Sequence, residues 1–148
     1  MKVVVLSGSP RKNGNTQIMM KHVLEYVNQK DVEVKFINLA DDGFESFRGA
    51  ATEINYNEKT LQAAKDITEA DVWLVGVPVY NSMFSSALKN IFEFINYKET
   101  EGKTAGLAII GGGTISFGDV QTLFTQLMAY LRVITNPTAV YSTGDIIE

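Results

Sequence analysis

The chain moves between two hydrophobic rhythms. Val3-Val4-Val5-Leu6 is a continuously apolar, β-branched run, the pattern of a strand buried on both faces. Residues 72–77 (VWLVGV) and 105–110 (AGLAII) read the same way. Residues 32–37 (VEVKFI) instead alternate apolar with charged, which predicts a half-exposed edge strand. Residues 138–141, after Pro137, are the last strand candidate. Between these runs the period becomes helical. Met20, Val23, Leu24 and Val27 fall at i, i+3, i+4 and i+7. Phe84, Leu88, Ile91, Phe92 and Ile95 form a second stripe, and Val120, Leu123, Phe124, Leu127, Met128 and Leu131 a third. Leu61, Ala64 and Ile67 mark a weaker helix. The order β-α-β-α-β-α-β-α-β predicts an α/β domain with a parallel sheet and helices on both faces.

Two doubly wound arrangements suit such a chain: half of a dinucleotide-binding sheet, or the five-stranded order 2-1-3-4-5. The second makes strand 2 an edge, as its alternation suggests. It also puts the ligand at the carboxyl ends of strands 1 and 3, where the strand order reverses. The special backbone collects there. Pro10 and Pro78 follow strands 1 and 3, and Gly111, Gly112 and Gly113 follow strand 4. Purely structural glycines would be spread over both ends of the sheet. After the fifth strand only residues 142–148 remain, too few for the usual covering helix. One sheet face is therefore expected to be covered by a neighbouring subunit, in a homodimer or homotetramer.

Composition narrows the chemistry. The 148 residues are 45% hydrophobic, enough for one folded domain over residues 1–148. No cysteine is present, which removes disulfides, cysteine nucleophiles, iron–sulfur clusters and thiolate zinc sites. With His22 the only histidine, a histidine-rich metal centre is excluded as well, and no metal site is expected. A net charge of −4 gives no electrostatic reason for nucleic acid or an anionic membrane as partner. The four apolar residues after Lys2 are too few for a signal peptide or a spanning helix, so the expected location is cytoplasmic.

The first loop, residues 7–16 (SGSPRKNGNT), opens onto the first helix. Free N–H groups at a helix N-terminus, together with the helix dipole, favour a phosphate dianion. Ser9, Asn15 and Thr16 add hydroxyl and amide donors, and Arg11 a charge-assisted pair. The spacing fits neither the Walker loop nor G-x-G-x-x-G. A polar turn capped by Asn13 or Asn15 is the plainer alternative, but the loop's place after strand 1 favours phosphate. The third strand ends in Pro78-Val79-Tyr80-Asn81-Ser82. Tyr80 offers a flat ring, with amide and hydroxyl groups beside it, suited to edging a planar heterocycle; equally, Tyr80 could pack the loop and Ser82 cap the next helix.

These segments carry a resemblance. Residues 7–16, 78–90 (PVYNSMFSSALKN) and 103–118 (KTAGLAIIGGGTISFG) resemble the NAD(P)H-dependent FMN reductases, flavoproteins with the flavodoxin-like 2-1-3-4-5 fold. The resemblance implies that Ser9, Arg11, Asn15, Thr16 and Gln17 hold the FMN phosphate. It implies that Pro78, Val79, Tyr80, Asn81 and Ser82 flank ribityl and isoalloxazine, and that Gly111, Gly112 and Gly113 supply backbone near the pyrimidine side. NADPH or NADH would be the co-substrate and a flavin, quinone or azo compound the acceptor. Three features depart from the family pattern: Val79 where many members carry glutamate, Ser82 where many carry glycine, and the absent last helix.

In such an enzyme the hydride passes between two cofactors, so no catalytic side chain is expected. The alternative is a flavodoxin-type electron carrier that binds FMN without oxidising nicotinamide; the modest acidity and the Gly-Ser-Pro-Arg loop favour the reductase. His22 lies off its helix stripe and reads as solvent-facing, and Trp73 as core. Phe117 reads as a staple for the fourth helix. Asp41 and Asp42 read as part of a solvated loop.

Overall fold

The structure is a computed structural model describing residues 1–49 and 54–146. The apolar runs become β1 (Lys2–Ser7), β3 (Val72–Pro78) and β4 (Thr104–Gly111), which form the centre of one parallel sheet. On the outer side of β1 lies β2 (Glu33–Asn38), whose first four residues alternate exposed and half-buried as an edge strand should. The order is β2-β1-β3-β4-β5, the flavodoxin-like arrangement.

The fifth position differs from the sequence expectation. It is shared by β5 (Ile134–Thr135) and β6 (Val140–Thr143), both parallel to β4. Thr104 lies opposite Ile134, an offset of 134 − 104 = 30, and Ala108 opposite Val140, an offset of 140 − 108 = 32. Two extra residues are therefore accommodated around Pro137, which has no N–H for the ladder. The strand expected at 138–141 starts earlier, breaks, and resumes at Val140. Only a 3₁₀ turn, Gly144–Ile146, follows it among the described residues.

Alternation along the strands divides the core in two. Val4, Leu6 and Trp73 pack with α2 (Glu58–Glu69), α3 (Ser86–Glu93) and α4 (Phe117–Tyr130) through Ile67, Leu88, Phe92 and Phe124. Val3 and Val5 face the other way, against Met20 and Val27 of α1 (Asn15–Val27). An apolar groove of about 220 Å³, bordered by Met20, Val23, Leu74 and Val140, runs beside α1 on that face.

The weak helix, α2, buries two of the three residues expected, Ala64 and Ile67, and exposes the third. Leu61 is exposed, and the buried stripe is Thr60, Ala63, Ala64 and Ile67. Thr60 escapes a hydrophobic count because it is polar, but its hydroxyl accepts the Glu45 N–H at 3.0 Å and so can be buried. The connection after β2 has its own packing. Phe47, Tyr56 and Phe94 form an aromatic cluster with centroids 4.8–6.2 Å apart. Asn90 of α3 grips the loop, accepting the Phe47 N–H and donating to the Glu45 carbonyl.

Candidate functional site

The carboxyl ends of β1, β3 and β4 meet where the strand order reverses. At β1 the chain turns at Gly8, whose N–H donates to the Gly76 carbonyl of β3 at 2.9 Å. From the other side the fully buried Ser85 donates its hydroxyl to the Gly8 carbonyl at 2.5 Å. The same Ser85 oxygen accepts the Leu88 N–H and caps α3, so Ser85 rather than Ser82 is the capping residue. One serine thus ties the first loop to the start of α3.

Beyond this anchor the loop leads into α1 through Gly14, an N-cap with no side-chain oxygen to offer the first-turn N–H groups. The contrast within the molecule is informative: Asn57 caps α2 and Ser85 caps α3 through their side chains. Neither Asn13 nor Asn15 serves α1 this way. Its N–H groups at Asn15, Thr16 and Gln17 are left for an external acceptor. Ser9 and Thr16 are both buried beside them. Ser9 Oγ accepts the Arg11 N–H at 3.2 Å and is hydrogen-bonded to Tyr80 Oη at 2.7 Å. Of the two cations on the loop, Lys12 is paired with Asp42 at 2.8 Å and holds that carboxyl below its usual range. Arg11 lines the cavity itself.

That cavity is about 120 Å³. Of the residues singled out in the sequence, Ser9, Arg11, Asn15, Thr16, Pro78, Val79, Tyr80, Gly111 and Gly112 line it, joined by Gly14 and Ile110. Ligand clefts usually reach roughly 300–1,000 Å³. A space of this size suits a phosphate and a few carbons beyond it and is too small to enclose a planar ring system. A larger cavity of about 490 Å³ lies between α3 and residues 41–46. Its rim includes Asp41, Asp42 and Glu45, carboxylates that would repel a dianion.

Four expected residues do not line the small cavity. Gln17 turns its side chain back to accept the Asn13 N–H at 2.8 Å, beside a neighbouring cleft. Asn81 and Ser82 form the tip of a tight turn in which Tyr80 and Met83 exchange backbone bonds of 2.7 and 2.9 Å. Both central residues have positive φ, +50° and +63°, the signature of a type I′ turn. Gly113 lies in the exposed glycine loop, where its carbonyl packs under Gly111. Phe117 is buried and stacks on Tyr141 with centroids 5.1 Å apart, a packing role.

Gly144 escaped the sequence reading. A Cβ there would stand 2.7 Å from Asn15 Nδ2. The only available signal was a glycine just beyond the last strand, at the same end of the sheet as the others. Gly144→Ala should displace the Asn15 amide with little loss of stability and, on the FMN assignment proposed below, weaken flavin binding several-fold, about 1 kcal/mol. Flavin titration and thermal melting check both halves.

The family model described as NADPH-dependent FMN reductase matches residues 1–146. This chain belongs to that family. The reductase is 24% identical over 147 residues to an NAD(P)H-dependent FAD/FMN reductase of Geobacillus thermodenitrificans, covering 98% of this chain and 78% of that one. It is 27% identical over 138 residues to an FMN-dependent NADPH-azoreductase of Staphylococcus aureus, covering 90% and 69% respectively. Among solved structures it is similar to an apo NADH:FMN oxidoreductase, with a TM-score of 0.83 at 21% identity, over 96% of this chain and 75% of that one. A Bacillus anthracis FMN-dependent NADH-azoreductase in complex with FMN gives 0.71 at 14%, over 100% and 90%. The reductase is thus an NAD(P)H-dependent oxidoreductase that uses FMN and has the flavodoxin-like fold.

Proposed function

We propose that FMN is held with its phosphate at the N-terminus of α1 and its ring over the loops that follow β3 and β4. The observation that carries this is the uncapped first turn of α1, aimed into a small cavity where Ser9, Thr16 and Arg11 converge. The donors fit the group: main-chain N–H groups and two hydroxyls for the phosphate, a guanidinium for its charge, and glycine backbone where a ring approaches. Bound flavin supplies the redox chemistry by taking hydride from NAD(P)H. The protein's own task is to orient, with Tyr80 at the rim and the glycine-loop amides offering donors to developing negative charge. No acid–base pair is required.

A ring lying outside the small cavity would have a face open to flat acceptors such as free flavin, quinones or azo compounds, the first and last in keeping with an FAD/FMN reductase and an azoreductase among the relatives. Nicotinamide and acceptor would use that face in turn. NAD(P)H dependence suits the cytoplasm, and we place the enzyme there. We also infer that a second copy covers the groove beside α1, where Val140 is 56% exposed. Light scattering at the 16.3 kDa monomer mass would overturn that assembly.

The deciding experiment is a visible spectrum followed by anaerobic addition of NADH or NADPH. A yellow protein bleached by nicotinamide supports the assignment. Reduction by dithionite alone would make it an electron carrier, and refusal of added FMN would remove the site. Arg11→Ala should weaken FMN binding by about 1.5 kcal/mol, roughly tenfold, because the pair it makes with phosphate is exposed on one side. Unchanged affinity would take Arg11 out of the site.

A further inference from the structure

Two loops border the proposed ring seat, one after β3 and one after β4, and a side-chain hydrogen bond joins their tips. Ser82 Oγ and Ser116 Oγ lie 2.6 Å apart, 34 residues apart in sequence. Both serines are held in the left-handed region, at φ +63° and +68°, where a side chain costs energy that glycine avoids. Ser116 also occupies the N-cap of α4, the position where a serine ordinarily gives its oxygen to the first helical turn. Here the Ser116 carbonyl accepts the Val120 N–H at 3.0 Å, but the side chain gives the first turn no bond and its hydroxyl meets Ser82 instead.

Each serine is therefore in a conformation that local energetics disfavour, and Ser116 forgoes its cap. What they gain is the bond to each other. The turn that presents Ser82 is rigid, closed by both Tyr80–Met83 backbone bonds, and its first residue is the Tyr80 that also binds Ser9. The contact thus extends a chain of polar links running from the first loop through Tyr80 to the glycine loop.

We propose that Ser82 and Ser116 are positioning residues, forming a hydroxyl clasp that fixes the spacing of the two loops receiving the flavin ring. The inference rests on the flavin assignment above. The clasp acts on the ring end of the ligand and leaves the phosphate end alone. Losing it lets the β4–α4 loop drift from the β3–α3 turn, so that the ring must order both loops when it binds.

The test is a double-mutant cycle on the full chain, read by quenching of flavin fluorescence with FMN and, separately, riboflavin. Alanine retains the left-handed cost while removing the hydroxyl. Ser82→Ala and Ser116→Ala should each weaken both ligands by the same factor, about 5- to 10-fold, and the double variant should lose no more than either single one. Ser82→Gly removes the hydroxyl and relieves the backbone, so it should bind flavin as poorly as Ser82→Ala while melting at a higher temperature. That opposition is not produced by a merely structural serine. Losses that multiply in the double variant, or wild-type riboflavin affinity in the single ones, overturn the clasp. A wild-type protein that binds neither flavin overturns the flavin assignment instead. Should Ser116→Ala fold poorly, Ser82→Gly and Ser82→Ala still decide the matter.

Discussion

Gly8→Ala should lower the stability of the protein by about 2–3 kcal/mol and weaken flavin binding with it. Gly8 has no positive φ, so backbone conformation is not the obstacle. The obstacle is space. A Cβ at this position would lie 2.5 Å from the Gly76 carbonyl oxygen and 2.9 and 3.0 Å from the two Leu88 methyls. A flexible side chain could swing aside, but a carbonyl in the central strand of a sheet cannot. Leu88 is fully buried and has nowhere to go. Relief must come from the loop, which would have to give up the Gly8–Gly76 bond, the Ser85–Gly8 bond, or both. Either shift moves Ser9 and the approach to α1. Gly112→Ala is the matched control, because a Cβ there meets nothing within 4 Å and the backbone is not left-handed. Urea denaturation should separate the two variants clearly. Equal midpoints would mean that the first loop is not packed against β3 and α3 as described.

That anchor marks the border of what the sequence makes legible. Periodicity alone located the three central strands, the edge strand β2 and the buried faces of α1, α3 and α4, because each is a long run with one dominant pattern. It failed where pattern and burial part company. Thr60 is buried yet polar, since a neighbouring N–H satisfies its hydroxyl, and Leu61 beside it is exposed. The fifth strand was misplaced because Pro137 interrupts it and leaves only Ile134 and Thr135 on the near side.

For the candidate site, the clustering of glycine and proline at one end of the sheet pointed to the loops that meet where the strand order reverses. The contacts between those loops were beyond reach, because Ser85 and Gly8 are 77 residues apart and Ser82 and Ser116 are 34 apart. No local signal distinguishes a serine that caps a helix from one that bonds across a cleft. Gln17 illustrates the same limit: it sits in the right turn of α1, but its side chain is spent on the Asn13 N–H.

Riboflavin should bind roughly 100-fold more weakly than FMN, a difference of about 3 kcal/mol. The two ligands differ only in the phosphate, so the ratio isolates the end of the site built by α1. The first-turn N–H groups and the hydroxyls of Ser9 and Thr16 surround the small cavity, and a phosphate there would make charge-assisted bonds worth about 1.5 kcal/mol or more each. Two such bonds suffice for the expected ratio. Arg11 is exposed and screened, so its share should shrink as salt rises, whereas the share of the buried donors should persist. Arg11→Ala should then narrow the ratio to about tenfold while leaving riboflavin affinity alone. The clasp variants should do the opposite, weakening both ligands and preserving the ratio. Equal affinities for FMN and riboflavin in the wild type would mean that the N-terminus of α1 does not receive the phosphate. Equal weakening of both by Arg11→Ala would instead place Arg11 under the ring or in the fold.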